Sequence, residues 1–131
     1  MTQYHQTHFT LLPSFDPEFY KICDFIKTIN CKKIIIEEFH NKTKKDIPSG
    51  SAKMLIATLK KNNITPKVVA LRVGKVIGIH KVKVYNDFET LTLVHNVENR
   101  QVFCLGAYNA CKFIVTKKNG LFDMENLIDS L

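Results

Sequence analysis

His40, Lys44 and the run Pro48-Ser49-Gly50-Ser51-Ala52 are the residues of this chain whose types and spacing can do chemistry. The Pro-Ser-Gly-Ser run reads as a tight turn opening a helix, and the first backbone N–H groups of a helix point out of its end and favour negative charge. A carboxylate or phosphate suits such a place. Lys44 adds a full positive charge and a transferable proton, and His40 adds an imidazole that titrates near neutrality. Each also has a plainer reading: a surface lysine in a basic run, a strand-end histidine, an ordinary capped helix. For Lys44 spacing alone favours the plainer reading; for His40, Lys44 at i+4 and the turn at i+8 favour the functional one, part of a clasp for one small anion. Lys42 and Lys45 flank Lys44 and make the entrance an electrostatic funnel for a small dianion.

The elements that must position these groups follow from periodicity. Lys33 to Phe39, KIIIEEF, is an apolar, β-branched run of strand length, so His40 stands at a strand's C-terminal edge. Ser51 to Asn62 carries Ala52, Leu55, Ile56 and Leu59 at helical spacing, with Ser49 or Ser51 as N-cap and Lys60-Lys61 at the far end. Upstream, Asp16-Pro17 opens a helix to about Ile29. Downstream, Lys67 to Arg72, Lys75 to Tyr85 and Glu89 to His95 read as strands forming a meander beside the first, with His95 on the core side together with Leu91 and Leu93. Arg100 to Lys117 has Phe103, Ala107, Ala110 and Ile114 at helical spacing, and a short helix follows Asp123. The sum is an α+β fold: a mixed, mostly antiparallel sheet of about four strands covered on one face by helices, in a single domain over residues 1–131.

Composition narrows the function classes. With 131 residues, 45% hydrophobic and free of low-complexity tracts, the chain can bury a real core. It shows no signal-peptide start and no apolar run of membrane-spanning length, and a cytoplasmic protein is expected. Cys23, Cys31, Cys104 and Cys111 contain no C-x-x-C pair, so free thiols are expected and a metal site is not. The net charge of +7 invites nucleic acid, but the lysines fall in short groups on different elements without interleaved aromatics, so no nucleic-acid partner is expected.

The stretch Glu38-Phe39-His40-Asn41-Lys42-Thr43-Lys44-Lys45-Asp46-Ile47-Pro48-Ser49-Gly50-Ser51-Ala52 resembles E-x-H-x-x-x-K-x-D-x-P-S-G-[ST]-A, the signature of the dihydrodipicolinate reductases. The resemblance continues through Arg72-Val73-Gly74-Lys75-Val76-Ile77-Gly78-Ile79-His80, where that family shows R-x-G-x-x-x-G-x-H. It runs on through His95, Arg100, Phe103, Gly106 and Ala107 to Gly120-Leu121-Phe122-Asp123-Met124. Thr7-His8-Phe9-Thr10 is a weaker echo of the family's N-F-S junction. The similarity covers nearly the whole chain but only the substrate-binding and assembly half of the family enzyme.

The resemblance implies an NADPH- or NADH-dependent oxidoreductase of lysine and diaminopimelate biosynthesis, a homotetramer whose sheets meet at its centre. It makes Lys44 the proton donor to the substrate's carbon skeleton and His40 an acid/base or orienting imidazole. Asn41, Ser49, Gly50 and Ser51 become binding residues for a small dicarboxylate, and Phe9 and Thr10 weak cofactor contacts. Asn41 departs from the pattern, standing where the family usually has a second histidine, and Ser51 replaces the usual threonine. His80, His95, Arg72 and Arg100 are expected to serve the fold or subunit contacts. Gly50, Gly74, Gly78, Gly106 and Gly120 do not supply a dinucleotide-binding spacing. A separate nucleotide-binding Rossmann half is therefore expected as a partner for turnover. The alternative is a non-catalytic dicarboxylate-binding or oligomerisation module.

Overall fold

The computed structural model describes residues 6–8 and 23–131. Phe9, Thr10 and the expected helix opening at Asp16-Pro17 lie outside the described residues. Two compact units result, one within Lys21–Asn99 and one combining the N-terminal segment with Arg100–Leu131.

The first unit holds the signature. Helix α1, described over 23–28, is followed by β2 (Lys33–His40), α2 (Gly50–Lys61), β3 (Lys67–Arg72), β4 (Gly78–Tyr85) and β5 (Thr90–Val97); β1 (Gln6–His8) belongs to the second unit. The sheet order is β3-β2-β4-β5. β2 runs parallel to β3 and antiparallel to β4, and β4 is antiparallel to β5. The sheet is thus mixed and mostly antiparallel, as the sequence suggests, but it is not a meander beside the first strand. α2 carries the chain back along the sheet, so β3 re-enters parallel to β2 and takes its outer edge, leaving the inner edge to β4.

Strict alternation fixes the buried face. β2 alternates exposed or half-buried positions with buried Ile34, Ile36, Glu38 and His40, and β4 does the same with Gly78, His80, Val82 and Val84. Cys23 and Ile26 of α1 and Ala52, Leu55 and Leu59 of α2 complete this core. Burying side chains of this size contributes roughly 1.5–3 kcal/mol each, an upper estimate against a realistic unfolded chain. Four positions of that apolar face are polar, Glu38 and His40 on β2, His80 on β4 and His95 on β5, and they lie toward one end of the sheet. β4 begins at Gly78 rather than Lys75 because the chain first turns through Gly74 at φ +52.

The second unit contains β1, α3 (Gln101–Ile114), β6 (Leu121–Asp123) and α4 (Met124–Asp129). β1 and β6 pair in parallel, a ribbon the sequence does not announce. Asp123 caps α4 reciprocally with Asn126, and Phe113, Met124 and Leu127 form its small core. α3 ends at Ile114, one turn before the Lys117 expected from periodicity. Among the described residues, no helix is long and apolar enough to cross a membrane.

Candidate functional site

β2 delivers the site because of its period of two. Ile34 and Ile36 drive one face inward, and the same alternation carries Glu38 and His40 into the interior, where Glu38 is fully buried. A carboxylate there must be paired or hydrogen-bonded. Its Oε1 accepts from the Ser49 N–H at 3.0 Å and from Arg72 Nη2 at 3.1 Å, and its Oε2 lies 2.8 Å from His40 Nδ1. Neither atom of that last contact completes an in-line hydrogen bond, yet two lone pairs at 2.8 Å would repel, so a proton belongs between them. Burial pushes the Glu38 carboxyl up, but the Ser49 and Arg72 hydrogen bonds and the neighbouring imidazole outweigh it and hold the group below the ordinary carboxylate range.

Arg72, at the end of β3, organises the loop between β2 and α2. Its Nε donates to the Lys44 carbonyl at 3.2 Å and its Nη2 to the Asp46 carbonyl as well as to Glu38. The Val73 N–H donates to the His40 carbonyl at 2.7 Å and the Lys42 N–H to the Gly74 carbonyl at 3.2 Å. The loop therefore hangs from the β3 end of the sheet. Within it Asn41 Oδ1 accepts from the Thr43 N–H and hydroxyl at 3.0 and 2.6 Å, an Asx turn that leaves its Nδ2 donors to meet a ligand. Lys44 Nζ is 3.0 Å from Asp46 Oδ1. Asp46 thereby holds the lysine, and that contact keeps its carboxyl below the usual range.

α2 starts where expected. Ser49 is the N-cap, its Oγ accepting from the Ala52 N–H at 3.3 Å, and the Lys53 N–H reaches the Ser49 carbonyl. Ser49 is buried, its N–H given to Glu38 and its hydroxyl to the cap, so it builds the cradle rather than lining it. Gly50 and Ser51 supply the N–H groups that take no protein partner among the described residues. A Cβ added at Gly50 would meet nothing within 4 Å, so the space before the helix start is open.

The histidines converge more closely than spacing reveals. His40 and His80 rings meet edge to face at 5.2 Å, and His80 stacks with His95 at 6.0 Å. Burial lowers the His40 pKa; Glu38 opposes this, and Lys44 and Arg72 reinforce it. Burial, with His40 and His95 beside it, takes His80 down to about 4. Ligand-type atoms of Glu38, His40 and His80 lie within 4.8 Å of one another, the spacing of a metal-ligating cluster. Both oxygens of Glu38 are already engaged and the Arg72 guanidinium is 3.1 Å from one of them, so the set reads as a polar network rather than as an ion's cage. Glu38 is the site residue that sequence reasoning left without a role. Its signal was present: an acidic residue in phase with Ile34 and Ile36, two positions before His40.

Comparison with known proteins identifies the family. The model of the family described as "Dihydrodipicolinate reductase, C-terminus" matches residues 19–128. A 4-hydroxy-tetrahydrodipicolinate reductase of Alkaliphilus oremlandii is 34% identical over 113 residues, covering 72% of this chain and 46% of the relative. That of Bdellovibrio bacteriovorus is 39% identical over 95 residues, covering 71% and 42%. The chain thus spans a little under half the length of these relatives. A solved structure, the dipicolinate-bound dihydrodipicolinate reductase of Paenisporosarcina sp. TG-14, shares the fold at a TM-score of 0.68 with 18% identity, covering 84% of this chain and 49% of that one. With a family model matched along most of its length, the chain belongs to the dihydrodipicolinate reductase family, of which it represents the C-terminal part.

Proposed function

We propose that the chain is the substrate-binding and proton-delivering half of a reductase acting on a small cyclic dicarboxylate of the dihydrodipicolinate type, in lysine and diaminopimelate biosynthesis. The reading is supported above all by one observation: Lys44 belongs to the same Arg72-anchored loop that ends at the open start of α2. One substrate carboxylate takes the Gly50 and Ser51 N–H groups and the Ser51 hydroxyl. Lys44 clamps the dianion and donates the proton that the carbon skeleton gains on reduction, while Asn41 Nδ2 and His40 orient the ring. His40, neutral because it is buried, serves as a hydrogen-bonding imidazole rather than as a fixed cation.

The hydride donor implied by kinship is NADPH or NADH. The residues described here do not fit it: Gly74 lies in a turn, Gly78 opens a strand, and Gly50 starts a helix without a glycine-rich phosphate loop before it. We therefore derive no step through the nucleotide, and assign it to a Rossmann domain outside this sequence or on a separate chain. Assembly, a homotetramer by kinship, would use the sheet face opposite the site, where Leu71 and Val94 stand about half exposed. A second reading, dicarboxylate binding without turnover, is favoured only by Asn41, whose amide cannot be protonated and whose Oδ1 is spent on its own turn.

Calorimetric titration with pyridine-2,6-dicarboxylate, alongside Lys44→Ala, tests the proposal. Binding by the native chain that the variant weakens at least about tenfold, the loss of one charge-assisted contact, is expected. A folded native chain that does not bind overturns it. Binding that never yields reductase activity with any supplied nucleotide-binding domain favours the second reading.

A further inference from the structure

The imidazole of His40 is confined at both nitrogens. On one side Nδ1 faces Glu38 Oε2 at 2.8 Å. On the other, Nε2 occupies the space that a side chain at position 78 would claim, since a Cβ built on Gly78 would stand 3.1 Å from His40 Nε2 and 3.5 Å from Cδ2. Gly78 does not lie in the left-handed region, so the backbone does not ask for glycine there. The absence of a side chain makes room for the ring. The other groups facing His40 are His80 from β4, Arg72 from β3 and Lys44 from the loop.

We propose that Glu38 and Gly78 are positioning residues that hold His40 as the Nδ1–H tautomer, with Nε2 as its acceptor position. Glu38 also couples this ring to the anion cradle, because the same carboxylate that faces Nδ1 accepts from the Ser49 N–H at the head of α2. One buried group thus sets both the orientation of the imidazole and its distance from the helix start. The inference deepens the proposed function but rests on geometry present without ligand. A tautomer is fixed by the hydrogen bond its other nitrogen makes, and a carboxylate oxygen can only accept.

The substitution Glu38→Gln then has a specific consequence. The Ser49 N–H and Arg72 demand an acceptor where Oε1 stands, so the glutamine carbonyl must face them. Its NH2 group, a donor only, is left facing Nδ1. The imidazole must answer with a lone pair on Nδ1 and move its proton to Nε2, against Gly78. The variant keeps the shape of the side chain and inverts the tautomer.

The test is a long-range 1H–15N correlation spectrum of the full chain with 15N-labelled histidine, recorded near pH 7.5, where tautomers give distinct nitrogen shifts. Wild-type His40 is expected as Nδ1–H and Glu38→Gln as Nε2–H. Gly78→Ala, which leaves the polar network intact, is expected to shift the His40 ring signals. It should also weaken pyridine-2,6-dicarboxylate binding by about tenfold or more, at a cost in stability that lowers the unfolding midpoint but leaves the chain folded at the temperature of the titration. Should Glu38→Gln not fold, the wild-type tautomer and Gly78→Ala still decide the matter. An Nε2–H or mixed tautomer in the wild type, or His40 signals unmoved by either substitution, overturns the proposal. If the wild type binds no dicarboxylate, the functional reading fails while the tautomer result stands or falls by itself.

Discussion

Lys44 Nζ and Asp46 Oδ1 stand 3.0 Å apart in a loop whose other charged side chains, Lys42 and Lys45, are both basic. The aspartate aims the ammonium, yet it also places a negative charge where a dianion is to bind. For an exposed pair these effects are unequal: the aiming is worth little, while the repulsion acts directly on the ligand. Asp46→Asn is therefore expected to tighten pyridine-2,6-dicarboxylate binding by roughly two- to fivefold at low ionic strength, the gain shrinking as salt is raised. Weaker binding would mean that aiming outweighs charge. Calorimetry at two salt concentrations decides.

Arg72 presents a different balance, because its partner is fully buried. Replacing it with Met leaves the Glu38 carboxylate with no cation and removes the ties to the Lys44 and Asp46 carbonyls. Breaking a buried pair from one side costs about 3–5 kcal/mol. Chemical denaturation of Arg72→Met should show a loss of that order, and Glu38→Gln, whose amide still accepts from Arg72 and Ser49, a smaller one. Equal losses would show that the buried charge is not what Arg72 serves.

Acid should unfold this protein in two stages. His80 is held down to about 4 in the fold against an ordinary 6.5, and His40 is depressed in the same direction, both chiefly by burial. A histidine depressed in the fold contributes stability that is complete above about pH 6.5 and is lost as pH falls through its folded pKa. For His80 the full effect is on the order of 3 kcal/mol. Glu38, a depressed carboxyl, loses its contribution only below the ordinary carboxylate range of about 4.5. Unfolding free energy measured between pH 7 and 4 should fall, and His80→Gln should flatten that fall. An unchanged slope in the variant counts against the assignment.

Gly50 offers a probe of the ligand alone. Its Cβ position is open space and its backbone is unstrained, so Gly50→Ala should leave stability within about 0.5 kcal/mol of the native chain. The new methyl would nevertheless occupy the ground before the α2 start. Dicarboxylate binding is expected to weaken several-fold, and unaltered binding would place the carboxylate elsewhere.

How much of this was legible beforehand varies with the range of the interaction. The α2 start could be read from Ser49 because capping is local, satisfied within three residues. The burial of His40 was not legible, because the strand is expected to end at Phe39; β2 runs one residue further, and period two then carries His40 inward with Ile34, Ile36 and Glu38. The strand order was not legible either, because a helix between β2 and β3 decides which edge β3 takes, and no local pattern encodes that choice. Nor could spacing reveal that His40, His80 and His95 sit side by side, since their meeting depends on the β2–β4 and β4–β5 registers. Glu38 was visible as a motif letter, but its task became clear only with its three partners around it.

The separation of those partners along the chain has a consequence for any attempt to shorten the protein. Every signature residue from Glu38 to Ala52 lies in one short stretch, yet the counter-ion of Glu38 arrives 34 residues later in Arg72, and the glycine that makes room for His40 later still. A peptide carrying the complete motif would hold its glutamate in water, its imidazole unconfined and its loop untethered. The recognisable fragment is a label for the site, and the site comes into being only when the third and fourth strands have closed upon the second.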